Sequence, residues 1–264
     1  MGVNWIDTTR LSFRSLLLLE SVQISWLSQY VRIGNDLAIA LKANPEVDWF
    51  LRHKCPEIST YLDSIVQLAP TNSTANEVHE AEQKVLVKLN DWLTYVIDPS
   101  IYDRQPFLGW DSNELLSIVD FTGKVVIDVG AGTGRLSFVA APVAKVVCAV
   151  EPVGNLRSYM SLKAQEKGIK NFYAVDGLIS RIPFPDGFAD VTMGGHVLEE
   201  KLEWAIRDNA EMERVTKKGG MVIYCPGCLD VDSEVHHFLM ADGYNWSRFE
   251  EPVDGWRRKY WKKL

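Results

Sequence analysis

Apolar residues recur at helical spacing through the first hundred positions and give way to short β-branched runs after about residue 115. ISWLSQYVRIGNDLAIALK (24–42) predicts a helix that Pro45 ends. Pro56 precedes EISTYLDSIVQLA, a second short helix stopped by Pro70. TANEVHEAEQKVLVKLNDWLTYVI opens with Thr74 and Glu77 at capping-box spacing. Val85, Leu86, Leu89, Leu93 and Val96 then fall three and four apart, predicting a third helix closed by Pro99.

From Asp111 onward strands and helices alternate. Asp111 or Ser112 caps a helix ELLSIV that leads into the strand KVVIDVG, followed by a helix from about Arg135. The strand KVVCAVE, the helix NLRSYMSLKAQEK ending at Gly168 and the strand NFYAVD come next. A Pro-rich loop RIPFPDG, the strand ADVTM and a long helix ending at Lys217 follow. Gly219 and Gly220 turn the chain into the strand MVIYC, and a helix covers 231–241. WSRFEE and WRRKYW flank PVDG and read as a terminal hairpin. Strands alternating with helices predict an α/β fold with a parallel sheet and helices on both faces. The expected organisation is an all-helical domain over 1–110 and an α/β domain over 111–264.

Composition narrows the function. Hydrophobic residues make up 47% and charged residues 24%, values of a soluble globular protein. Acidic residues outnumber basic ones by 35 to 28, which argues against a nucleic-acid partner. No stretch approaches the ~20 apolar residues of a membrane span. The run Leu16 to Leu19 is followed at once by Glu20 and Ser21, so neither membrane nor signal peptide is expected. Four cysteines in this length do not form a disulfide framework, and the expectation is a reduced, cytoplasmic protein.

The candidate chemistry begins at VIDVGAGTGR. Gly130 and Gly132 fit a dinucleotide fingerprint, but Arg135 stands where its third glycine belongs and Gly134 comes one residue early. Asp128, two residues before the first glycine, would repel a pyrophosphate and suits a ligand bearing an ammonium group. S-adenosylmethionine (SAM) has that group, a sulfonium and no phosphate. Glycines at 130, 132 and 134, with Ala131 between them, let the backbone approach its methionine portion. Glu151 ends the second strand, 19 residues after Gly132, where a carboxylate accepts both ribose hydroxyls. Asp176, followed by Gly177 and Leu178, ends the third strand and can accept the adenine amino group.

With these residues the sequence resembles the class I SAM-dependent methyltransferases, with a type 11-like methyltransferase domain. The resemblance rests on VIDVGAGTG, AVEP (Glu151, Pro152), AVDG, FADVTMGGHVLEE and RVTKKGGMVIYCPG, in the family's order, and covers about 118–264. It implies a Rossmann-like, doubly wound, mostly parallel seven-stranded sheet whose last strand is antiparallel and inserted beside its neighbour. It implies that Asp128 and the glycine loop hold the methionine end, Glu151 the ribose and Asp176 the adenine. Gly194 and Gly195 would line the passage to the methyl group, and S-adenosylhomocysteine would be the product. In this family a helical addition usually forms a cap that selects the substrate.

Other readings of the same residues stand beside these. Asp128 can satisfy backbone N–H groups of its turn, Glu151 can be a solvated strand-end acid, and Asp before Gly at 176 is also a turn signal. His196 is a candidate general base, or a hydrogen-bonded histidine capping a helix. Cys225 and Cys228 form a lone CxxC near His236 and His237, read as a turn, and no metal is expected. Tyr102, Phe107 and Trp110 roof the cofactor pocket or pack at the domain junction. The acceptor favoured is a small molecule, with a protein substrate, an NAD(P)-dependent oxidoreductase and a catalytically silent SAM binder as alternatives.

Overall fold

The structure is a computed structural model that describes residues 4–30, 33–198, 201–253 and 255–264. The chain divides into two compact units, Met1–Tyr102 and Asp103–Leu264.

The first unit is helical: α1 (Ser21–Tyr30), α2 (Gly34–Ala43), α3 (Pro45–Lys54), α4 (Ser59–Val66), α5 (Ala75–Lys88), α6 (Asn90–Ile97) and α7 (Pro99–Asp103), which runs across the boundary. Its core joins Leu16, Leu27, Leu37, Leu51, Leu62, Val85 and Leu93. The expected capping box is formed: Thr74 accepts from the Glu77 N–H, and Glu77 accepts from the Thr74 N–H at 2.7 Å.

Three expectations need correction. The single helix expected over 24–42 is two helices. Gly34, a weak helix former, opens α2 and lies where a Cβ would come within 3.2 Å of Ile65 Cγ2 on α4. The expected helix up to Pro99 is likewise divided, at Leu89. There the Asn90 side chain accepts from the Trp5 N–H (2.7 Å) and donates to Ile6 O (2.8 Å), tying the next helix to the N-terminal segment. Prolines read as terminators also open structure. Pro45 sits at the start of α3, a helix the sequence reading missed, and Pro99 opens α7.

The second unit begins with a segment docked on the α/β body. Asp103 pairs with Lys163 at 2.7 Å, and Arg135 donates to Leu108 O (2.7 Å), Trp110 O (2.5 Å) and Ser112 Oγ (3.1 Å). After α8 (Asn113–Leu116) come β1 (Val125–Val129), α9 (Ser137–Ala140), β2 (Val146–Val150), α10 (Gly154–Glu166) and β3 (Phe172–Val175). Then follow β4 (Ala189–Gly194), α11 (Leu202–Val215), β5 (Thr216–Tyr224), α12 (Glu234–Ala241), β6 (Asn245–Glu251) and β7 (Gly255–Lys263). The seven strands form one sheet in the order β3-β2-β1-β4-β5-β7-β6. β1 to β5 pair in parallel, and β7 is antiparallel to both β5 and β6. This is the Rossmann-like seven-stranded sheet expected, its last strand inserted antiparallel between β5 and β6. The hairpin is present, although Asp254 of its turn lies outside the described residues.

Element ends shift for local reasons. α9 starts at Ser137 rather than Arg135, because Gly130, Gly132 and Gly134 all take left-handed φ (63°, 57° and 86°) and hold the chain in a turn. α11 ends at Val215, not Lys217. Thr216 is already extended, and its Oγ1 bonds to Thr192 Oγ1 at 2.6 Å. α12 begins at Glu234, where Ser233 Oγ accepts from the His236 N–H at 3.1 Å. On both faces of the sheet apolar side chains fill the core, Val126, Val147 and Val191 on one and Ile127, Val129 and Val222 on the other.

Candidate functional site

The parallel strands end together. Val129 pairs with Val150, and Val150 with Val175, so Gly130, Glu151 and Asp176 leave the sheet along one edge. β4 leaves at Gly194 on the other side of β1. In open α/β sheets this carboxyl edge is where ligands bind.

Asp128 is buried at the end of β1. Its Oδ2 accepts from the Ser137 N–H (2.9 Å) and hydroxyl (2.6 Å), which ties the glycine turn back to the strand. Its Oδ1 is buried and has no hydrogen-bond partner among the described residues. Burial pushes the carboxyl up to about 7, against the two bonds from Ser137. Half of the turn-carboxylate reading is therefore real, and the other oxygen is left over.

Glu151 is also buried. Oε2 accepts from the Gly132 N–H and Oε1 from the Val153 N–H, both at 2.9 Å. It is not a solvated acid. Burial pushes it up to about 7, the negative charge of Asp128 adding to the rise while the backbone N–H groups oppose it. Ala131 donates to Val150 O at 3.1 Å, so the glycine turn folds across the end of β2. Pro152 follows, half-buried.

Asp176 stands at the exposed rim and pairs with Arg157 at 2.9 Å. Arg157 also donates to Glu151 O at 2.7 Å, which links the ends of β2 and β3. Gly177 is required by crowding: a Cβ there would lie 2.7 Å from Pro183 Cδ and 2.9 Å from Val150 Cγ1. Leu178 is exposed and bridges to Arg181. Val197 lies over the bare backbone of both Gly130 and Gly194, 2.6 Å from where either Cβ would stand. Gly195 faces Cys225 O, which a Cβ would approach to 2.9 Å.

Among the described residues His196 caps no helix. α11 begins at Leu202 with Lys201 at its N-cap, and Glu199 and Glu200 lie outside the described residues. The His196 backbone takes φ 56°, the left-handed region, and its N–H donates to Pro226 O at 2.8 Å. The ring Nε2 lies 2.9 Å from Oε1 of Glu251, a carboxylate with no solvent exposure, and the Phe107 ring meets the imidazole edge-on at 5.3 Å.

Other candidates fall elsewhere. Tyr102 packs on Trp5 and Tyr95 in the helical unit, and Trp110 is buried against Phe249 with Arg135 over its face. Burial pushes the Cys225 thiol up to about 12, and His236 is spent on Tyr260 at 3.2 Å. Among the described residues no group of three or more His, Cys, Asp or Glu could hold a metal. A groove of about 700 Å³ lined by Arg104, Gly134, Arg135, Phe138 and Lys163 includes none of Asp128, Glu151, Asp176 or His196. Sequence reasoning missed Ser137, Arg157 and Glu251. For Glu251 a signal existed, since it alternates with the apolar Phe249 and so shares the buried face of β6.

Residues 127–224 match the family model described as a methyltransferase domain. Over that stretch the α/β unit is similar to methyltransferase domains. YcgJ, an uncharacterised methyltransferase of Bacillus subtilis, is 28% identical over 118 residues, 42% of this chain and 46% of its own length. The chain therefore spans about half of the curated relative it matches. Among solved structures, a SAM-dependent methyltransferase from Aquifex aeolicus is 19% identical with a TM-score of 0.49, over 62% of this chain and 97% of its own. The YcgJ structure is 18% identical with a TM-score of 0.45, over 54% of this chain and 70% of its own.

Proposed function

We propose that this chain is a SAM-dependent methyltransferase acting on a small-molecule acceptor. The observation that carries the reading is the unpartnered, buried Oδ1 of Asp128 beside the left-handed glycine turn. A buried carboxylate oxygen without a donor is costly, and an incoming ammonium group offsets that cost. The remaining residues fit the rest of the ligand. Glu151 keeps lone pairs for ribose hydroxyls beyond the two backbone bonds it accepts. Asp176, Gly177 and Leu178 sit at the next strand end for the adenine, and Gly194 and Gly195 flank the approach to the methyl group. When bound, SAM supplies an electrophilic methyl on a sulfonium. The chain's own part is to bind, align and exclude water.

The small-molecule preference rests on the net charge of −7, which disfavours nucleic acid. Acceptor selection is assigned to the N-terminal region, 1–110 in the sequence reading. A cytoplasmic setting is supported by four cysteines that are all free. No helix among the described residues is long and apolar enough to cross a membrane.

The test is incubation with methyl-labelled SAM and a cell extract fractionated into small molecules, protein and nucleic acid. Label in the small-molecule fraction is expected. Label only in protein replaces the acceptor class, and bound S-adenosylhomocysteine without any transfer makes the chain a silent binder.

A further inference from the structure

We infer that His196 takes the proton of the acceptor, held in its working tautomer by Glu251, and that the acceptor is therefore a nucleophile that must lose a proton. The inference rests on the methyltransferase reading and adds the class of acceptor: a hydroxyl, thiol or ring N–H rather than a tertiary amine or thioether.

Three observations converge on His196. It is a non-glycine residue with left-handed φ in the described chain, at 56°, a conformation that residues with a Cβ rarely adopt. Such outliers persist where the surrounding structure holds them, and they cluster at functional sites. Here the hold is the 2.8 Å bond from the His196 N–H to Pro226 O, across the ends of β4 and β5. The residue directly follows Gly194 and Gly195, at the edge of the sheet that carries Asp128 and Glu151.

Second, the ring is paired with a buried charge. Glu251 ends β6 with its side chain wholly buried, and Arg257 on β7 pairs with its Oε2 at 2.7 Å. Oε1 is left 2.9 Å from His196 Nε2 without the alignment of a full hydrogen bond. At that separation an unprotonated nitrogen would set its lone pair against those of the carboxylate. Nε2 therefore carries the hydrogen, and Nδ1 holds the free lone pair. Among the described residues no hydrogen bond or ion pair engages Nδ1, and the imidazole is partly exposed.

Third, the groups facing the ring place a carboxylate beside it, with Arg257 paired to that carboxylate. Glu251 lies against it from β6, Arg257 is spent on the far oxygen of Glu251, and the neighbour from the docked segment is the uncharged Phe107 ring. In the step, the acceptor's lone pair forms the X–CH3 bond and the methyl–sulfur pair returns to sulfur as a thioether. The X–H proton passes to Nδ1 and later leaves to water, so charge and atoms balance. Glu251 is a positioning residue that acts through His196.

The deciding experiment is nitrogen-15 NMR of the imidazole-labelled full chain, with and without S-adenosylhomocysteine, His196 being assigned by the signal lost in His196→Asn. The Nε2–H tautomer is expected in the wild type, and a mixture of tautomers in Glu251→Gln. An Nδ1–H wild type, or no change in Glu251→Gln, overturns the inference. Binding of S-adenosylhomocysteine is expected to stay within about twofold in both variants, which also reports that they fold. Failure of the wild type to bind it refutes the cofactor reading and leaves the tautomer result standing. In a labelled-methyl panel of phenols, thiols, azoles, tertiary amines and thioethers, turnover is expected only with the first three. His196→Asn should lower kcat by about 10²-fold or more with little change in KM. Turnover of a tertiary amine or thioether alone overturns the acceptor class.

Discussion

Between pH 7.0 and 5.5 the affinity for S-adenosylhomocysteine falls steeply if Asp128 must be ionised to receive the ligand's ammonium group. Burial holds the Asp128 carboxyl at about 7. About half of the ligand-free protein is then ionised at this position at pH 7.0, and roughly 3% at pH 5.5. Apparent affinity scales with the competent fraction, so Kd rises by about 15-fold across the interval. Glu151, also held at about 7 by burial, steepens the change where its ionised form is needed for the ribose. The ligand's ammonium resembles an α-amino group titrating near ~7.8 and stays mostly protonated throughout. Titration calorimetry at four pH values reads the slope directly. Asp128→Asn should bind weakly and with a flatter profile, Glu151 alone remaining. A wild-type Kd that moves less than twofold, or an unchanged slope in Asp128→Asn, refutes the assignment of Asp128 to the ammonium group.

Three further outcomes follow from the same geometry. In the ligand-free protein both carboxyls bind protons more tightly folded than unfolded, so their stabilising contribution is complete below about pH 4 and lost as pH rises through about 7. For Asp128, raised from 3.8 to about 7, the limit is on the order of 4 kcal/mol, and Tm should fall between pH 5 and pH 8, less so in Asp128→Asn. A rise in Tm over that range contradicts it. Thr74→Ala breaks the capping box of α5 and should cost about 1 kcal/mol in denaturant unfolding, with binding of S-adenosylhomocysteine unchanged. Asn209 Oδ1 accepts from both Tyr224 (2.9 Å) and Tyr244 (2.6 Å) in the core. Asn209→Ala removes the acceptor of the Tyr224 hydroxyl and leaves Tyr244 only its 3.5 Å bond to Glu213 Oε1. It should cost roughly 1–3 kcal/mol, whereas a loss below about 0.5 kcal/mol would show that the core rearranges to satisfy both hydroxyls.

The sheet was legible because its strands are short apolar runs alternating with helices, and the first three carry an acid at or just past their carboxyl ends. Asp128, Glu151 and Asp176 each end such a run, and register then brings all three to one edge. Helix ends were less legible. The pattern in 24–42 is continuous in hydrophobicity, and only the backbone preference of Gly34 and its packing against Ile65 divide it. Proline marks a boundary without saying on which side the helix lies, which is why α3 behind Pro45 went unread. His196 was found by its place after β4, but its partner was not. Glu251 is 55 positions away on the hairpin, and only the insertion of β7 between β5 and β6 fixes where that hairpin lies. The Val197 side chain against Gly130 and Gly194 is of the same kind, a contact made by the tertiary fold alone.

On the reading proposed above, the strand-end acids and the glycine turn hold SAM and not a dinucleotide. Parallel calorimetric titrations of the full chain with SAM and NADH at pH 7.5 test it most directly. One-site binding of SAM with Kd on the order of micromolar is expected, lost in Glu151→Ala, with no heat from NADH. Saturable binding of NADH with none of SAM would contradict it and return the glycine turn to an oxidoreductase.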